Sequence, residues 1–184
     1  AENVGGCKIV VVDNSDLVKP SFIKSKHCSI IEKNWFEYDP EIKFDFVIFK
    51  TVLHHFVENS DKKTRSAQVL GLLKAAKVLK DDGVLIIEEN FYESSMGFED
   101  LSGRLIYEIT KMNSIEKITR KLGANTAGEG VRFRSMMAWT KIFEETGFKI
   151  EKVTKVEWDW QAWQKIPLMG KERFQAVLSL SKIK

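Results

Sequence analysis

The stretch from Phe44 to Ile87 constrains this chain more than any other. A short apolar run, Phe44–Phe49 (FDFVIF), and a second, Val84–Ile87 (VLII), flank a long helical pattern. Short apolar, β-branched runs bounded by turns predict strands of the buried kind found in parallel sheets. Between them, Ser60–Leu79 is predicted to be a helix. Ser60 serves as N-cap and Asp61 places an acid in the first turn. Val69, Leu72, Leu73, Ala76 and Leu79 recur at helical spacing and predict one apolar face. Asp81-Asp82-Gly83 supplies turn chemistry. A strand, a long helix and a second apolar strand predict a right-handed crossover in an α/β sheet.

The flanking segments extend this pattern. Lys8–Asp13 (KIVVVD) reads as a strand buried on both faces, and Cys28–Ile31 as another short apolar run. Asp16–Lys24 has the pattern of a short helix broken early by Pro20. From Phe91 to Gly130 the pattern changes to scattered aromatics. Two helices are expected there, near Leu101–Met112 and Ser114–Leu122, with a glycine-containing loop, Gly123–Gly130. Ser135–Thr146 returns to helical periodicity, with Met136, Trp139, Ile142 and Phe143 on one side and Gly147 as the stop. Phe148, Ile150, Val156, Trp158 and Trp160 share one parity, as do Phe174, Ala176, Leu178 and Leu180. Two period-two runs in succession predict an antiparallel pair at the sheet's edge.

At 184 residues the chain is long enough for one domain with a substantial core. A net charge of +3 is too small to point to nucleic acid or an anionic membrane. No segment approaches the roughly 18 consecutive apolar residues of a membrane span. The two cysteines, Cys7 and Cys28, form no CxxC pair and no disulfide framework, so a cytoplasmic location is expected.

Phe44–Asn90, read as FDFVIFKTVLHHF, a helix, then LKDDGVLIIEEN, resembles the class I S-adenosylmethionine (SAM)-dependent methyltransferase family of small-molecule type. Gly147-Phe148 after a helix fits the same pattern. The match runs from Lys8 to the C-terminus and is least typical over Phe91–Arg134. The resemblance implies a single Rossmann-like methyltransferase domain over 1–184. Its sheet would be mostly parallel with a C-terminal antiparallel pair, and a helical cap or insertion would occupy about 91–134. It also implies that the family's first strand and Gly-x-Gly loop should precede Lys8. Gly5-Gly6 cannot supply them, and Gly128-Glu129-Gly130 follows no buried strand. The expected domain is therefore N-terminally truncated.

SAM is the implied cofactor and a small molecule the implied substrate, methylated on oxygen, carbon or sulfur. Asp13, at the tip of a strand, would accept hydrogen bonds from the ribose hydroxyls; it also suits an N-cap. Asn34 and Trp35 would meet the adenine, or be a turn residue and a core aromatic. Lys50 and Thr51 stand where the family approaches the sulfonium and the methyl acceptor. Lys50 would orient an acidic substrate, act as a base if burial lowered its pKa, or be solvated. Phe49-Lys50-Thr51-Val52 is not the Asp/Asn-Pro-Pro-aromatic motif of enzymes that methylate base amino groups.

His54 and His55 are candidate general bases, because imidazole titrates near neutrality; the alternative for His55 is packing at the base of the next helix. Glu88, Glu89 and Asn90 end a strand at the carboxyl edge where open α/β sheets bind ligands, with Glu88 and Asn90 the substrate candidates. Tyr92, Tyr107, Arg132, Arg134 and Trp139 belong to or flank the cap. Tyr92, Tyr107, Arg134 and Trp139 are taken as substrate-binding, an Arg there clamping a carboxylate or phosphate. No metal site is expected. The aromatic run Trp158–Trp163 fits packing on a sheet face or a homodimer contact. Lys111, Lys117, Arg120 and Lys121 read as a solvated helix face. The rival from another class is a methyltransferase-like domain that serves as an interaction scaffold without catalysis.

Overall fold

A computed structural model describes residues 8–14, 27–93, 100–112, 130–156 and 172–183. The expected helices Asp16–Lys24 and Ser114–Leu122, the loop of residues 123–129 and the Trp158–Trp163 run lie outside the described residues. The chain divides into two compact units, Ala1–Ile42 and Lys43–Lys184.

The first unit holds strands β1 (Ile9–Asp13) and β2 (Cys28–Glu32). They pair in parallel from Ile9–Cys28 to Asp13–Glu32, so two carboxylates sit side by side at the carboxyl ends. All of β1 is half-buried, not buried on both faces as its apolar run predicts. β-branching set the strand, but apolar character alone did not fix how much of it is covered. Asn34 caps a single helical turn, Trp35–Glu37, by accepting a hydrogen bond from Phe36 N at 2.9 Å.

The second unit is a four-stranded sheet with helices. Its strands are β3 (Phe44–Lys50), β4 (Leu79–Glu93), β5 (Phe148–Val156) and β6 (Glu172–Lys182), in the order β3-β4-β6-β5. β3 and β4 are parallel and joined through helix α1 (Asp61–Val78), the crossover that the sequence predicts. β6 is antiparallel to both β4 and β5. The sheet is therefore mixed: the C-terminal pair stands beside the parallel pair, with β5 at the edge, and supplies half of the strands. Helices α2 (Leu101–Lys111) and α3 (Met136–Glu145) complete the unit.

Local chemistry explains the boundaries. Ser60 Oγ accepts from Lys63 N and Ser135 Oγ from Ala138 N, which caps α1 and α3. Gly147 ends α3 with φ +81°, a conformation that glycine adopts without a Cβ penalty. The turn expected at Asp81-Asp82-Gly83 is instead part of β4. Phe44 pairs with Leu79 and Phe46 with Val84, so Lys80–Gly83 bulge out of the ladder.

One face of the sheet carries the core. Val47, Phe49, Leu85, Ile87, Phe91, Ala176, Leu178 and Leu180 are buried and share that face by register. Trp139, Ile142 and Phe143 of α3 and Leu72, Ala75 and Val78 of α1 are buried with them. The opposite face differs: Phe46 and Ile48 are 59% and 62% exposed, so β3 is not the doubly buried strand of a parallel sheet. The buried stripe of α1 is also shifted. Thr64, Gln68, Gly71, Leu72, Ala75 and Val78 face inward, while Leu73 is exposed. Thr64 and Gln68 are buried because they hydrogen-bond to neighbouring backbone, a partner that apolar periodicity cannot register. On β5 a bulge between Ile150 and Lys152 breaks the expected parity. Ile150 opposes Leu180, but Val156 opposes Gln175 on the other face.

Candidate active site

The turn after β3 and the carboxyl end of β4 place a carboxylate against an imidazole. His54 lies in the single helical turn Leu53–His55 and is 5% exposed. Its ring Nδ1 donates to Glu89 Oε1 at 2.6 Å. Glu89 is 1% exposed and also accepts His54 N at 3.3 Å and Asn90 N at 2.8 Å. An ionised carboxylate with four lone-pair sites accommodates these donors. Among the described residues His54 uses only Nδ1 of its ring in hydrogen bonding. That leaves Nε2 as the nitrogen able to accept a proton, the geometry of an oriented general base.

His54 is also held on its faces. The Phe133 ring stacks on it at 4.4 Å between centroids, and the His55 ring lies 4.2 Å away. Tyr92 packs on Phe133 at 4.7 Å, in a cluster with Ile106 and Val131. His55 is exposed, yet surrounding atoms that desolvate its ring, and then His54 beside it, push its pKa down to about 4. It is therefore neutral at physiological pH.

Lys50, Thr51, Glu88 and Asn90 form a second group on the carboxyl ends of β3 and β4. Lys50 Nζ stands 3.7 Å from Glu88 Oε2 and is well exposed. Gln175 of β6 donates to Glu88 Oε1 at 3.0 Å. Thr51 adopts φ +49°, rare for a β-branched residue, and donates its N–H to Glu88 O at 2.7 Å. Glu88 and Glu89, adjacent in sequence, point to opposite faces of the sheet, as strand alternation requires.

The segment Gly130–Ser135 closes over His54. Arg132 N donates to His54 O at 2.9 Å, and Tyr92 N donates to Arg134 O at 3.2 Å. Arg132 is wholly buried and pairs with Asp61 and Asp100, each at 2.6 Å. Arg134 meets Asp100 at 2.9 Å and Gln68 Oε1 at 2.6 Å. Asp100 also accepts Ser135 N at 3.1 Å. Burial works against ionisation of Asp61, but the guanidiniums of Arg132, Arg134 and Arg104 outweigh it and hold its pKa low. Burial, and then the neighbouring Arg132, lower that of Arg134 to about 10. Among the described residues, Arg134 Nη2, Trp139 Nε1 and Gln175 Oε1 are buried without a hydrogen-bond partner. Arg134 stands 5.9 Å from the centre of the Trp139 ring. The Tyr107 hydroxyl donates to Glu58 O and accepts from Thr64 Oγ1, which braces the turn after His55.

The structure thus brings His54, His55 and Tyr92 together, Lys50 with Thr51 and Glu88, and Arg134 with Trp139. Asp13, Asn34 and Trp35 belong to the first unit. The pairing of Glu89 with His54 was not legible, although one signal existed. Glu89 shares parity with Leu85, Ile87 and Phe91, so a buried carboxylate in need of a partner was implied. Asp100, Phe133 and Gln175 carried no such signal. Among the described residues there is no group of three or more His, Cys, Asp or Glu placed to hold a metal. None of their helices is long and apolar enough to cross a membrane.

No protein-family profile matches the sequence, and no curated protein does. Solved structures do match. The chain is similar to LepI in complex with SAM, with a TM-score of 0.58 at 9% identity, over 95% of this chain and 36% of that one. It is similar to the mitomycin 7-O-methyltransferase MmcR, with a TM-score of 0.51 at 17% identity, over 85% of this chain and 34% of that one. The magnesium protoporphyrin IX methyltransferase ChlM from Synechocystis PCC 6803, with bound SAH, gives 0.53 at 12% identity, over 95% of this chain and 64% of that one. The chain therefore has the α/β fold of these proteins and spans about a third of the length of LepI and MmcR. The same fold occurs in a structure described as a pericyclic reaction enzyme, at a TM-score of 0.56, so fold by itself does not fix the reaction.

Proposed function

We propose that this protein is a SAM-dependent methyltransferase acting on a small molecule, with His54 as the proton acceptor. The observation that carries the reading is the 2.6 Å hydrogen bond from His54 Nδ1 to buried Glu89. It fixes the imidazole so that Nε2 is available to take the proton of an acceptor hydroxyl, thiol or carbon acid. Glu89 stabilises the imidazolium that results, as a carboxylate behind a base does. His55, kept neutral, adds no competing positive charge beside it.

When bound, SAM supplies a methyl carbon activated by its sulfonium. Residues of the first unit suit the adenosine part of such a group. Asp13 and Glu32 stand in register at the carboxyl ends of parallel strands, and a carboxylate there suits a vicinal diol. We assign Asp13 to the ribose, Asn34 and Trp35 to the adenine, and Lys50 and Thr51 to the sulfonium side. Asn34 Oδ1 keeps one lone pair free beyond its capping bond. Glu88, Asn90, Tyr92, Tyr107, Arg134 and Trp139 are assigned to the substrate. The unpartnered donors Arg134 Nη2 and Trp139 Nε1 support that reading, because a buried donor calls for an acceptor. Methyl transfer needs positioning and exclusion of water more than bond-making groups, and the buried 130–135 segment over His54 serves both. We place the Rossmann-like sheet of the whole protein in the mostly parallel class, and the protein in the cytoplasm, in keeping with its free Cys28.

The test is methyl transfer from labelled SAM by the whole protein, before and after His54→Gln. Loss of transfer with retained SAM binding supports the reading. Transfer that persists in the variant removes His54 from the mechanism. SAM binding with no transfer to hydroxyl, thiol or carbon acceptors favours the scaffold alternative.

A further inference from the structure

The His54 imidazole is fixed at one edge by Glu89, but an edge contact alone lets a ring swing about the hydrogen bond. Phe133 stacks on that ring. Its ring lies nearly parallel to the imidazole, at 29° and 4.4 Å, and covers one face. We propose that Phe133 is a positioning residue for His54, held in place by the buried Arg132 beside it. The proposal rests on the reading of His54 as the proton acceptor.

Three observations support the clamp. Arg132 N binds His54 O at 2.9 Å, so the residue next to Phe133 is tied to the residue it covers. The Arg132 guanidinium is 0% exposed and is gripped by Asp61 at the start of α1 and by Asp100 just before α2. Its Nη1 donates to Phe133 O at 2.5 Å, so the same side chain holds the Phe133 backbone. From the far side α2 leaves no slack: a Cβ added at Gly103 would collide with Phe133 O. Phe133 is thus tied through its neighbour on one side, through its own carbonyl, and by a helix packed against that carbonyl. Tyr92 also packs on its ring, at 4.7 Å between centroids. The clamp meets the ring face and the carbonyl of His54, whereas Glu89 meets its Nδ1 and its backbone N–H.

The test uses the whole protein labelled with nitrogen-15 in histidine. The proton between His54 Nδ1 and Glu89 is read by its downfield resonance, assigned by its loss in His54→Gln. Phe133→Leu keeps an apolar side chain and removes the flat face. Exchange of that proton with solvent should then speed up roughly tenfold, the scale of one aromatic contact. Phe133→Tyr should restore the slow rate. Arg132→Lys, which keeps the charge but not the forked grip, should act in the same direction as Phe133→Leu. Leu180→Ala, a core change on β6 away from His54, should leave the exchange as it is and so separates positioning from general destabilisation. Unchanged exchange in a folded Phe133→Leu protein overturns the proposal, and so does equal acceleration by Leu180→Ala. If Phe133→Leu does not fold, Arg132→Lys decides by the same criterion. Absence of any His54 Nδ1 resonance in the parent protein overturns the dyad itself, a different failure from an unresponsive one.

Discussion

Asp100 receives Arg132 Nη2 at 2.6 Å and Arg134 Nη1 at 2.9 Å on the same carboxylate oxygen, in a site where both guanidiniums are buried. Two cations brought together out of water are tolerable only because Asp100 and Asp61 balance them. Asp100→Asn leaves them short of one negative charge. It is expected to cost about 3–5 kcal/mol, as removal of one partner from a buried ion pair does. Urea denaturation measures this, and a loss below about 1 kcal/mol would show that the pairs are not formed as described.

Glu89→Gln keeps the shape of the dyad and removes its charge. Transfer is expected to fall by about 10²-fold or more, within the range seen when general-base catalysis is impaired. SAM affinity should not change, because Glu89 spends its hydrogen bonds on His54 and on the N–H of Asn90. Parallel measurement of turnover and of SAM binding checks both halves.

His55 sets a pH dependence of stability. Its folded pKa, about 4, lies below the ordinary histidine value of 6.5, so the unfolded chain binds more protons between them. Stability is complete above about 6.5 and falls as the pH drops toward 4. His55→Gln should flatten that part of the curve. Because His55 is exposed, the effect should be small. Denaturation midpoints from pH 4 to 8 test it, and a parallel curve in the variant contradicts it.

Gly103→Ala tests the close approach of α2 to the 130–135 segment. A methyl there meets backbone, which cannot rotate away. The expected loss is about 1–3 kcal/mol despite the better helix propensity of alanine. Thermal unfolding of the variant measures it, and a gain in stability would mean that α2 stands further off.

Much of the fold was legible. The crossover β3-α1-β4 followed from two apolar runs and a capped helix, and the β5-β6 pair followed from period-two alternation. Ser135 and Gly147 marked both ends of α3. What was not legible came from long-range partners. Gln68 lies outside the predicted apolar face and is buried, because Leu53 O and Arg132 O need its amide. The bulge on β5 moves Val156 to the other face, and nothing in its sequence announces the extra residue. In the site, the residue types of His54, Arg134 and Trp139 drew attention to them. Phe133 and Asp100 gain meaning only from what stands opposite, and Asp100 is 46 positions along the chain from His54.

SAM binding is the measurement on which the account depends most directly. Calorimetric titration of the whole protein with SAM should show saturable binding. Asp13→Ala should weaken it by roughly tenfold or more, as expected on losing hydrogen bonds to a charged acceptor. Binding by the Asp13→Ala protein that matches the parent would contradict the assignment of Asp13. A parent protein that takes up no SAM would contradict the methyltransferase reading as a whole.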